Sequence, residues 1–120
     1  MSKSAISILV FGIYLLGVGA VLILAPNFLL SLFAIPETSE VWVRVLGVVA
    51  AVLGYYYVEA ARHEQTAFFG ATVPGRLGVL VCFTAFVVLK MTAPTFVIFG
   101  IVDALGALWT GLALRADRRA

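Results

Sequence analysis

Apolar residues fall in four long runs, at 5–24, 41–61, 73–91 and 95–114, separated by short breaks that hold three of the four prolines. A hydrocarbon core of about 30 Å is crossed by about twenty helical residues, so each run is long enough to span. The pattern predicts an all-α fold: a polytopic membrane four-helix bundle forming one transmembrane domain over residues 1–120. Pro26 and Pro36 bracket an apolar piece, 27–35, that is too short to cross and reads as an interfacial helix between the first and second spans. Glu37, Thr38, Ser39 and Glu40 then offer caps and negative charge to the start of the second helix. Residues 62–71 form the most polar connection, Pro74 is expected in the first turn of the third helix, and Ala93-Pro94 divides the third span from the fourth. Lys3 opens the first run as a signal peptide would. That run exceeds the 7–15 residues of a signal core, though, and no small-x-small cleavage pattern follows, so it reads as a retained span.

Composition settles the solvent. The chain is 63% hydrophobic and 12% charged with a mean hydropathy of +1.14, against about 25% charged residues in soluble domains. A water-soluble fold of this length has too little interior to hide that surface, so lipid is the expected surroundings. A net charge of +2 without a basic run argues against nucleic acid as a partner. Cys82 is the only cysteine and His63 the only histidine, which excludes a disulfide within the chain and any multi-histidine metal site or bis-histidine haem in a monomer. No metal and no cofactor is expected. Lys3, Arg62, Arg76, Arg115, Arg118 and Arg119 fall on one side of the spans, Arg44 and Lys90 on the other with Glu37 and Glu40. The positive-inside rule then puts both termini in the cytoplasm.

Within the spans, Asp103 is the costliest residue to keep, at roughly 2.5–3.5 kcal/mol on insertion scales. At 100° per residue it shares an arc of about 80° with Gly100, Ala107 and Gly111. Arg44, Gly47, Ala51 and Gly54 make a similar stripe on the second span, and Ala5, Gly12 and Gly19 on the first. Small residues let membrane helices approach closely, so Gly47, Gly54, Gly100 and Gly111 are predicted at helix contacts. Two stripes carrying opposite charges suggest an Arg44–Asp103 pair across an axial gap of roughly 9 Å, with Lys90 as the competing partner. Such a pair serves either as a staple that fixes helix register or as a polar site that recognises a head group or carries a proton. Glu59, Arg62, His63 and Glu64 have ordinary helix-surface spacing at a solvated end. Arg76 reads as an anchor at the inner interface, and Cys82 as a small core residue.

Neither a phosphate-cradling glycine loop nor a carboxylate pair within one span occurs. The first span carries no charge, which separates the chain from the small multidrug resistance transporters, whose defining glutamate lies there. One succession of elements is distinctive. A proline-bracketed Phe28-Leu29-Leu30-Ser31-Leu32-Phe33 is followed by Arg44-Val45-Leu46-Gly47, then Gly75-Arg76-Leu77-Gly78, then Asp103 with Gly106. It resembles the small four-helix membrane proteins of the DoxX-like type. That resemblance implies a bacterial inner-membrane bundle and assigns no catalytic residue.

The expected function is that of a binding or accessory membrane protein with an outward-opening polar site around Asp103, and no catalytic constellation favours an enzyme. The alternatives are a dimeric proton- or ion-coupled transporter, with Asp103 as coupling group, and an enzyme on a lipidic substrate. Expected partners are the bilayer, a second copy or another membrane protein, and an apolar or amphipathic small ligand. The orientation is testable in a Cys82→Ala background. Thr38→Cys should react with a membrane-impermeant maleimide on intact cells, and Thr66→Cys only after permeabilisation. The opposite pattern inverts the topology.

Overall fold

The computed structural model describes residues 1–119, and no strand occurs among them. Five α-helices follow one another: α1 (Lys3–Leu24), α2 (Pro26–Leu32), α3 (Val41–Arg62), α4 (Thr66–Val88) and α5 (Val97–Arg119), the last entered through a 3-10 turn at Pro94–Phe96. Helices α1, α3, α4 and α5 with its preceding turn are long and apolar enough to cross a membrane, and α2 is the short helix between the first two. The protein is therefore an all-α, multi-pass membrane protein.

Three helix ends share one chemistry. Ala34, Glu64 and Lys90 adopt left-handed backbone with φ of 54°, 52° and 59°. Behind them Ile35 N–H donates to Leu30 O, Gln65 N–H to Ala60 O and Met91 N–H to Phe86 O, at 2.8–3.0 Å. These are Schellman closures, which return otherwise orphaned carbonyls to partners, here built without the usual glycine.

Helix α4 departs from expectation. It begins at Thr66 rather than near 73, so Pro74 lies inside the helix and not in its first turn. Proline removes one backbone donor, a loss that membrane helices tolerate where neighbours re-satisfy the freed carbonyl. The polar connection shrinks to the turn after Arg62, and Arg76 moves three turns into the helix. The fourth span, α5, runs on through Arg119, past the expected end at 114.

Helix α1 is the hub, packing most extensively on α3 and also on α5, while α4 and α5 form a second close pair. Glycine sets the α1–α3 distance. A Cβ at Gly19 would lie 2.7 Å from Gly47 O and from Ala51 N, and one at Gly54 would lie 2.7 Å from Gly12 O. Backbone meets backbone, which is how membrane helices gain packing when lipid supplies no hydrophobic drive. Gly100 does the same for the second pair, its Cβ position 2.9 Å from Leu80 Cα. Gly111 does not: a Cβ there meets nothing nearer than Val73 Cγ1 at 4.0 Å, since it lines an open groove between α4 and α5.

At the end bearing both termini, the first turn of α1 is tied to its neighbours. Ser2 N–H and Ser2 Oγ–H donate to the Glu64 carboxylate at 2.6 and 2.7 Å, and Ser4 N–H and Ser4 Oγ–H to Asp117 Oδ2 at 3.0 and 2.6 Å. The Ser2 bonds hold the Glu64 carboxyl below its usual range. At the opposite end Phe33, Phe96, Phe99 and Phe83 pack ring against ring, and Thr95 donates to Phe33 O. Gly19→Ala and Gly54→Ala should each cost about 1–3 kcal/mol through overpacking, whereas Gly111→Ala should stay within about 0.5 kcal/mol. Denaturant unfolding in detergent measures all three, and equal losses would remove glycine as the determinant of helix spacing.

Candidate functional site

The most enclosed charge in the bundle is Arg76, 3% exposed and in the middle of α4. Side chains on a helix lean toward its N-terminus, and Arg76 follows that lean down its own helix. Its Nε–H donates to Thr72 O at 3.2 Å, and its Nη2 donates to Thr72 Oγ1 at 2.9 Å and Thr110 Oγ1 at 2.8 Å. Thr72 and Thr110 are themselves buried. A guanidinium has five N–H donors, so three are used. The other two are on Nη1, which is buried without a hydrogen-bond acceptor. The guanidinium lies 4.7 Å from the centroid of the Phe11 ring and 5.9 Å from that of Tyr57. A desolvated cation over an aromatic face gains about 2 kcal/mol, which offsets part of the missing bonds.

The threonine contact opens a directed chain. Ser7 Oγ–H donates to Ser4 O at 2.7 Å, which uses its one proton. Thr110 Oγ1, 2.8 Å from Ser7 Oγ, must therefore donate to Ser7 while accepting from Arg76. Polarisation thus runs from α4 through α5 to α1, and each hydroxyl has a defined direction. Space for the guanidinium comes from Gly106. A Cβ there would lie 3.0 Å from Arg76 Nη1 and 2.9 Å from Phe11 Cδ2.

Asp103 lies one turn from Gly106 on α5, partly enclosed, and its charge acts on Arg76, Tyr14 and Tyr57. It makes no direct ion pair with any described residue; Arg62–Glu59 is an ion pair at the end of α3, and His63 Nε2 lies 3.3 Å from the same Glu59 carboxylate. The expected Arg44–Asp103 pair does not form. Arg44 is exposed and donates instead to Ile23 O, capping the last turn of α1. A cation at a helix C-terminus meets both the open carbonyls and the dipole, without leaving the interface. Lys90 is no partner either: it occupies the left-handed cap beyond α4, exposed. Gly47, Gly54 and Gly100 sit at helix contacts, while Gly111 lines a surface groove.

The sequence reading of Arg76 as an inner-interface anchor is overturned, since it is buried in the middle of α4, and Thr72, Thr110 and Ser7 carried no reading. The available signal was the Thr72–Arg76 spacing of four on one helix face. No group of three or more histidine, cysteine, aspartate or glutamate side chains among the described residues is placed to hold a metal. No protein-family model, curated protein or solved structure matches the chain.

This geometry makes two double-mutant cycles informative. Arg76→Gln with Asp103→Asn should show a coupling of about 0.5–3 kcal/mol, whereas Arg44→Gln with Asp103→Asn should be additive within about 0.5 kcal/mol. Unfolding in detergent reads both, and the reverse result would return Asp103 to Arg44.

Proposed function

We propose that this protein is a small binding or accessory protein of the bacterial inner membrane, with both termini cytoplasmic and the Arg76–Asp103 centre as a fixed internal element. The observation that carries this reading is the enclosure of Arg76. Its three used donors go to neutral oxygens of the bundle, and an aromatic face covers the guanidinium. A group that binds and releases a proton or ion in each cycle needs alternating access to water. An enclosed, hydrogen-bonded cation suits a bundle that keeps one shape and presents its outer surface to lipid, to an amphipathic molecule or to a membrane partner.

The competing reading, a coupled transporter, rests on the carboxylate of Asp103 lying within a span, near Arg76, Tyr14 and Tyr57. Proteoliposomes separate the two. With an imposed potential and an entrapped pH dye, the protein should give no proton flux above empty vesicles, and Asp103→Asn should behave the same. A flux that the wild type supports and Asp103→Asn abolishes would establish the transporter instead.

A further inference from the structure

The α4–α5 pair is tight at Gly100, where the Cβ position lies 2.9 Å from Leu80 Cα, and open at Gly111, where it lies 4.0 Å from Val73 Cγ1. That splay leaves a groove of about 480 Å³ on the lipid-facing side, walled by Val73 and Leu77 of α4 and by Ala107 and Gly111 of α5. Its wall is almost wholly apolar until the terminus-bearing end, where Arg115 and Arg118 close it. Both arginines are exposed, and neither forms an ion pair with a described residue. The acids nearest in the fold, Glu64 and Asp117, line an adjoining groove and already accept from Ser2, Lys3 and Ser4 at the start of α1. Arg118 lines that adjoining groove as well, yet neither arginine donates to these carboxylates, whose hydrogen bonds go to α1.

We propose that this groove holds an anionic phospholipid of the bilayer, with an acyl chain along the apolar wall and its phosphate between Arg115 and Arg118. An acyl chain is already out of water in the bilayer, so an apolar wall adds little preference and selectivity rests on the head group. Arginine suits the phosphate because its fork of N–H donors engages two oxygens at once, and basic pockets at helix ends bind anionic head groups. A second copy of the chain fits less well. A two-fold contact through the same groove, with its axis along the membrane normal, sets Arg115 and Arg118 against the same arginines of the partner, which is repulsive. The proposal does not depend on the Arg76–Asp103 centre, and the flux assay does not bear on it.

Native mass spectrometry of the protein from micelles containing equal dioleoylphosphatidylglycerol and dioleoylphosphatidylcholine tests it. Phosphatidylglycerol should be retained preferentially, and R115Q and R118Q should each reduce that preference about fivefold. Arg62→Gln, which removes one positive charge at the same end but away from the groove, should leave it within about twofold. Gly111→Leu has room to fold and fills the groove while keeping both arginines, so it should lower the retained lipid. Equal retention of both lipids, an equal drop in Arg62→Gln, or no response to Gly111→Leu would overturn the assignment. So would disulfide-linked dimers formed through Leu112→Cys at the expense of bound lipid.

Discussion

A guanidinium enclosed in the middle of an apolar bundle takes its acceptors from the protein, and Arg76 is 3% exposed. Arg76 obtains them by drawing three helices together: its own α4 supplies Thr72, α5 supplies Thr110, and α1 supplies the Phe11 ring and, through Ser7, the next acceptor in line. Each charge-assisted hydrogen bond of this kind is worth about 1.5–3 kcal/mol. The tie also crosses the seam between the two helix pairs. Helices α1 and α3 hold each other through glycine, as do α4 and α5 at Gly100, but the polar chain is what joins one pair to the other in a defined register.

The remaining structure follows from lipid as solvent. Where helices need to touch, glycine brings backbones together. Where they do not, as at Gly111, missing side chains leave a groove that lipid or a partner can occupy. Charges are sorted by the same rule. Arg44 stays at the interface on the end of α1, Glu64 and Asp117 are spent on the first turn of α1, and Arg115 and Arg118 remain available at the surface. The polar centre and the groove thus divide the labour: the first holds the bundle in one shape, and the second offers a surface whose chemistry matches an anionic amphiphile.

Much of the fold was legible because hydrophobic length is a local property. Four apolar runs and a proline-bracketed short helix can be read from the chain alone, and the glycine faces of the first two spans follow from helical periodicity. The helix ends were harder to read. Ala34, Glu64 and Lys90 take the left-handed conformation that glycine usually marks, so the closures carry no composition signal, and Pro74 invites a helix start where the helix is already two turns old.

Membrane insertion and the approximate spans were determined by sequence, since burial of the backbone in lipid leaves helices as the only answer for such runs. Which charge sits inside was decided by tertiary structure. Arg44 and Arg76 are the same residue type, and their fates differ because one lies beside the open carbonyls of α1 and the other beside Thr72, Thr110 and the space left by Gly106. A partner for Asp103 chosen by stripe and sign alone is Arg44. The helix register that places Arg76 near Asp103 exists only once α4 begins at Thr66 and α1 packs against α5.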